Sequence, residues 1–306
     1  MQALVLALGA TLLWSLTNLL DKGIVQRYGA DGAVGALIII SALFPILMTG
    51  PSLVLAEFDV ALPQASVAIL LLSGACQVAW IGLYLKALQS SDVTVVMPLM
   101  ALSPLFAWLA GMVVLSEFPA SFELVGSAII LLSALILSYE KRRGTINYKL
   151  IATVSLASCL IAVSNALFKS GTAQETIYWA GLFWQSLGSF SVGIFIILLH
   201  RPTYYALNDF LQKNPLVGIG INSTNEIITL CGNALFGQAL LLGKLMIIQS
   251  TEAFQPIFVF LLGTSISFFF PNHIKEDLSS HALIKKLVGI SGVCAGSLVL
   301  FYDKVM

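Results

Sequence analysis

Charge is what this sequence has least of. Only 10% of its residues are Asp, Glu, Lys or Arg against 58% that are hydrophobic, and a mean hydropathy of +0.95 excludes water as the main solvent. The fifteen basic and fifteen acidic residues cancel, and the longest basic run is Lys141-Arg142-Arg143, so there is no field or patch to attract nucleic acid. Cysteine is equally sparse. Cys76, Cys159, Cys231 and Cys294 stand far apart in different apolar stretches, which excludes zinc-ligand spacing and a clustered disulfide framework. The histidines, His200, His273 and His281, sit near segment ends, and no HExxH, GxSxG, Walker or Rossmann pattern occurs. Nothing here suits covalent catalysis, a cofactor or a metal, and the chain is expected not to be an enzyme.

What the sequence has in abundance is long apolar stretches. A spanning helix needs about 20 such residues, and stretches of that order recur near 3–23, 33–55, 64–85, 93–116, 122–139, 149–168, 177–199, 215–242, 245–270 and 284–302. The first has no basic residue before Lys22 and is followed by further spans, so it reads as a retained helix and not a signal peptide. Hydrocarbon cannot satisfy exposed backbone groups, so the spans are expected to be helices packed through their many Gly, Ala and Ser residues. The expected class is an all-α integral membrane protein with ten transmembrane helices, multi-pass in the cell (inner or plasma) membrane.

Basic residues are unevenly shared between the joins. Lys22, Arg27, Lys86, Lys141, Arg142, Arg143, Lys149, Arg201, Lys213, Lys275, Lys285 and Lys286 follow odd-numbered spans, whereas Lys169, Lys244 and Lys304 fall on the other side. The positive-inside rule places the larger set in the cytoplasm and both termini outside.

The order of landmarks repeats. Asn18-Leu-Leu-Asp-Lys22-Gly23 near the end of span one returns as Asn165-Ala-Leu-Phe-Lys169-Ser-Gly171 near the end of span six. Ala87-Leu88 and Ala101-Leu-Ser-Pro104-Leu-Phe106 return at one constant offset as Ala239-Leu240 and Ala253-Phe-Gln-Pro256-Ile-Phe258, and Leu137-Ser-Tyr139-Glu-Lys141 returns as Leu300-Phe-Tyr302-Asp-Lys304. Five spans per half is an odd number, so the second half enters the membrane in the opposite sense. The halves, 1–143 and 144–306, are expected to form an inverted repeat, the arrangement that supports alternating access about a midplane site.

On these residues the chain resembles the drug/metabolite transporter superfamily and, within it, the EamA-type carriers. The resemblance rests on Leu13-Trp14-Ser-Leu-Thr-Asn18, Tyr84-Leu-Lys-Ala87-Leu88, Val96-Met-Pro98 with Pro104, and the turn Leu115-Ser-Glu117-Phe followed by Gly126. It implies a ten-helix carrier. Two features depart from it. Many such carriers are drawn with both termini in the cytoplasm, and the second half has a longer join, Pro271-Asn-His-Ile-Lys-Glu-Asp277, in place of the Glu117 turn.

A charge at the bilayer centre costs about 2.5–3.5 kcal/mol on insertion scales, so buried charges point to cavities and partners. Glu226 lies eleven residues after Pro215, roughly 16 Å into a core about 30 Å thick, close to the midplane. Asn222, Asn225, Glu226, Thr229 and Asn233 share one helical face, which either lines a cavity or forms an interhelical hydrogen-bond network. Gln249, Glu252 and Pro256 fall on neighbouring turns of span nine, where Glu252 either contacts solute or pairs with Lys169 or Lys244. Asn18 and its repeat Asn165 are lining or packing residues. Trp14, Asn18 and Asp21 stand at helical spacing, and Asp21 with Lys22 is either an interfacial pair with Lys22 snorkelling, the preferred reading, or part of a binding face. Gln77, Trp80 and Tyr84 share a face of span three, and Trp179, Trp184 and Gln185 lie in span seven; such rings either meet an apolar or cationic solute or belong to the interfacial belt. Pro98, Pro104 and Pro256 are kinks or hinges.

The expected function is secondary transport, in the export direction, of a small organic metabolite, amine or amphiphile, coupled to protons or another ion. The partners are then a small-molecule solute and the lipid bilayer. The alternative is a membrane scaffold or sensor that transports nothing.

Overall fold

The computed structural model describes residues 1–28, 33–90, 96, 99–100, 102–138, 148–172 and 178–269, with scattered helical positions between 288 and 299. All regular structure among them is helical. In chain order the helices are α1 (Gln2–Tyr28), α2 (Ala33–Leu43), α3 (Ile46–Leu55), α4 (Gln64–Ser90), α5 (Ser103–Leu115), α6 (Ser121–Ser138), α7 (Tyr148–Thr172), α8 (Tyr178–Leu199), α9 (Arg201–Lys213), α10 (Asn222–Leu242), α11 (Leu245–Ser250) and α12 (Gln255–Phe269).

Six stretches of the described residues are long and apolar enough to cross a membrane: Gln2–Val25, Val34–Leu55, Gln64–Ser90, Tyr148–Thr172, Tyr178–Leu199 and Leu245–Gly263. Ser103–Leu115 and Ser121–Ile130 are shorter apolar helices. The expected tenth span lies mostly outside the described residues. α10 is not among the six, because the polar residues at its N-terminal half lower its hydropathy.

Several expected single spans are broken. Span two is two helices, α2 and α3, divided at Phe44 and Pro45, since Pro45 has no N–H to continue the α2 ladder. Span eight opens with a π-helical turn, Leu216–Ile221, before α10. Span nine passes from α11 through a 3-10 turn, Thr251–Phe254, into α12. Pro104 stands in the first turn of α5, where a missing N–H costs nothing, so it starts a helix there and does not kink one. Pro98 lies outside the described residues.

The join after span seven holds a further helix that the sequence reading missed. α9 begins with Pro202 in its first turn, buries Phe210, and packs on α2 and α8, while Lys213 and Asp209 pair on its exposed face at 2.8 Å.

Two apolar clusters hold the bundle at its opposite ends. α1 gives Ile24 and Val25 to one cluster and Ala7 and Ala10 to the other; α4 gives Leu85 and Leu88 to the first and Leu70 to the second. Between them the helices meet through small and polar side chains. Ser73 of α4 donates to the Ser164 carbonyl of α7 at 2.8 Å, and Ser164 returns the bond to the Ser73 carbonyl at 2.9 Å. Along the α4–α8 seam the backbones nearly touch: a methyl group on Gly74 would stand 2.2 Å from the Gln185 carbonyl, and one on Gly188 would stand 2.4 Å from the Leu71 carbonyl. Only glycine allows that approach.

Candidate functional site

The space between the two clusters is a cavity of about 1460 Å³, counting its open mouth. α1, α2, α4, α7, α8, α10 and the broken span nine all contribute walls. Among the described residues three carboxylates line it, Asp21, Glu226 and Glu252, and no Lys, Arg or His does.

Glu226 comes to this wall because α10 turns its polar stripe inward. The residue is buried, with 5% of its surface exposed, and its Oε1 accepts a hydrogen bond from Ser41 on α2. No cation pairs with it among the described residues. One residue earlier, Asn225 donates through Nδ2 to Asp21 Oδ1 at 2.8 Å, so α10 ties α1 and α2 together through adjacent side chains. This overturns the interfacial reading of Asp21: its partner is an amide across the bundle, and it faces the cavity. Sequence could not show that, because α1 and α10 are some two hundred residues apart.

Thr229 and Asn233 continue the stripe along the cavity wall, and Trp14 donates to Asn233 Oδ1 at 3.1 Å. The Gly232 beside it leaves room for the indole, since a methyl group there would come within 2.6 Å of Trp14 Nε1. Asn222 does not reach the wall. It is fully buried and its side-chain N and O have no partner among the described residues, one turn below the cavity.

Glu252 pairs with neither Lys169 nor Lys244, contrary to one of the two expectations for it. Ser103 donates to its Oε2 at 2.8 Å and Gln249 donates to its Oε1 at 2.6 Å; Gln249 in turn accepts from Asn165 Nδ2 at 2.7 Å. Gln249 is thus behind the wall, holding Glu252 and Asn165 in place. The two lysines are engaged elsewhere. Lys169 pairs with Glu117 and donates to the Gly243 carbonyl at 2.6 Å, while Lys244 pairs with Glu123 at 3.0 Å.

Asn18 and Asn165 both line the cavity but have different partners, for Asn18 Oδ1 accepts from the Tyr84 hydroxyl at 3.0 Å. Tyr84 and Trp80 lie 6.0 Å apart between ring centroids on the same wall, with Gln77 one turn away. Of the span-seven residues, Gln185 is on the wall and donates to Ser73 Oγ at 2.9 Å, whereas Trp184 turns away to the Val60 carbonyl. Ser41, Asp21 and Ser103 are the site residues sequence reading did not select. The chain offered one signal for Asp21, its helical spacing from Trp14 and Asn18.

Residues 1–139 match the model of the EamA-like transporter family. Over these residues the chain is similar to the EamA-like transporters of the drug/metabolite superfamily. No curated protein matches it. One solved crystal structure, described only as that of a protein, is similar over 97% of each chain with a TM-score of 0.63 at 13% identity, which extends the likeness of fold to the whole length. The family points to a membrane transporter of the drug/metabolite type, with a small-molecule solute and the bilayer as partners.

Within the matched residues the Glu117 turn has a plain structural purpose. Ser116 takes a left-handed conformation with φ of 55°, turning the chain so that Glu117 accepts from Lys169 and from the Leu245 backbone N–H at 2.7 Å. Glu117 therefore clamps the α10–α11 join to the end of α7.

Proposed function

We propose that the protein is a secondary carrier that exports a small organic metabolite, amine or amphiphile across the cell membrane by alternating access, with Glu226 as the proton-coupling carboxylate. The observation that carries this reading is a buried acid without a cationic partner, on the wall of a cavity built from both halves of the chain. A carboxylate so placed can take and release a proton as the cavity changes sides.

Two inverted five-helix halves, 1–143 and 144–306, are part of the proposal. Packing supports them: α1 lies against α10 and α4 against α7, contacts that exchange when span one is set on span six and span three on span eight. Span nine breaks at Thr251–Phe254, and the shift that sets Pro104 on Pro256 brings that break onto the residues just before α5. Both termini are then extracytoplasmic, and a tag between 141 and 148 is cytoplasmic.

The test is flux. Purified protein in vesicles is given an inward or outward proton gradient, and uptake of a panel of organic solutes is followed for the wild type and Glu226→Gln. The proposal expects saturable, gradient-driven flux that the variant loses while still folding. An unchanged pH profile in Glu226→Gln sinks the coupling role, and an absence of flux for every solute favours the scaffold.

A further inference from the structure

We propose that the solute is an organic cation with an aromatic or apolar body, its charge held between Asp21 and Glu226. Three independent features of the cavity support this. The first is the sign of its wall: three carboxylates and no basic side chain among the described lining residues, so an anionic solute would meet no opposite charge there and three of its own sign.

The second is which carboxylate oxygens are left open. Both oxygens of Glu252 are taken, by Ser103 and Gln249. Asp21 accepts only through Oδ1 and Glu226 only through Oε1, leaving Oδ2 and Oε2 without a hydrogen-bond partner among the described residues. Glu226 lies on the cavity wall with Oε1 taken by Ser41, so its Oε2 is an acceptor that a bound cation or a proton can take. Asn225, next to Glu226 and bonded to Asp21, fixes the two acids as neighbours on one wall. Glu252 is by contrast a positioning residue that ties span nine to α5 and α7.

The third is the aromatic content. Trp14 is one turn from Asn18 and two from Asp21, and Trp80 and Tyr84 stand on the facing helix. Indole and phenol faces attract a desolvated cation and accept an apolar body beside it. An amine with an aryl or alkyl group meets all three features at once. A neutral solute leaves the two open oxygens unsatisfied.

This rests on the carrier reading for its purpose but not for its test, which measures binding by the purified full chain in detergent at neutral pH. The probes are 2-phenylethylamine, its trimethylammonium form, 2-phenylethanol and 3-phenylpropionate, followed by calorimetry and thermal stabilisation. Both cations are expected to bind at least about tenfold tighter than the alcohol, and the propionate not at all. Asp21→Asn and Glu226→Gln each weaken the cations by about tenfold or more, Asp21→Glu restores them, and Asp209→Asn on the exposed face of α9 changes them by less than about threefold. The melting temperature of each unliganded variant separates loss of binding from loss of fold.

The inference is overturned if no cation binds, if the alcohol or propionate binds as tightly as the amine, or if folded Asp21→Asn and Glu226→Gln bind the amine like wild type. Flux of the same probes into vesicles keeps the two proposals apart. Selective cation binding without flux removes the carrier and leaves the site. Flux of a neutral or anionic solute without amine binding removes the cation and leaves the carrier.

Discussion

Two seams of this bundle, which the proposed repeat would set on one another, have opposite character. The shift that sets Asn18 on Asn165 sets Ser41 on Gly188, and the shift that sets Pro104 on Pro256 sets Gly74 on Glu226. At the α4–α8 seam Gly74 and Gly188 bring two backbones into contact, closed by a hydrogen bond from Ser189 Oγ to the Gly74 carbonyl at 3.1 Å. At the corresponding seam α2 and α10 are bridged by the Ser41–Glu226 hydrogen bond and pack little otherwise. A backbone contact between glycines has one geometry, whereas a side-chain bond across a gap can open. On the proposed repeat the shape is shared and the charge is not: Asp21, Glu226 and Glu252 would correspond to Phe168, Gly74 and Met100.

That contrast can be broken at its rigid side first. Gly74→Val has no space to use, since its neighbours are the Gln185 carbonyl and the Ser189 nitrogen, and the helices would have to separate. A loss of about 3 kcal/mol or more is expected, read as a collapse of the melting temperature in detergent or of folded yield. A folded Gly74→Val with a wild-type melt would show that the seam is not tight.

At the other seam the expectation reverses. Glu226→Gln should leave the melt close to wild type and reduce proton-driven flux by about tenfold or more, because the amide keeps the bond to Ser41 and removes the titration. Flux assays at several pH values decide this. Ser41→Ala is milder still. It loses one hydrogen bond worth about 1 kcal/mol, so a roughly fivefold drop in kcat/KM is expected with little change in stability. A drop as large as that of Glu226→Gln would mean Ser41 contacts the solute itself.

The smallest effect is a displacement. Spin labels at the exposed Leu47, at the start of α3 just beyond α2, and Ile227 on α10 report on the open seam, and labels at the exposed Leu72 on α4 and Phe195 on α8 report on the closed one. Adding an amine solute or changing pH should shift the first distance distribution and leave the second in place. Equal shifts in both would end the distinction between a rigid and a moving seam.

The sequence by itself determined the class of the molecule. Long charge-poor stretches can only be helices in hydrocarbon, and a carboxylate eleven residues into one of them is deep wherever that helix packs. Glu226 on a cavity wall, the Trp80 and Tyr84 face and the paired Asn18 and Asn165 were legible for that reason. Which residues would meet across the bundle was decided by tertiary structure alone. Asp21 finds Asn225, Glu252 finds Ser103 in place of a lysine, and Asn222 falls short of the wall. In a soluble helix the apolar stripe announces the side that packs. A membrane helix is apolar nearly all round, so its partners are chosen by close steric fit and by hydrogen bonds between residues far apart in the chain, and neither leaves a period to be read in the letters.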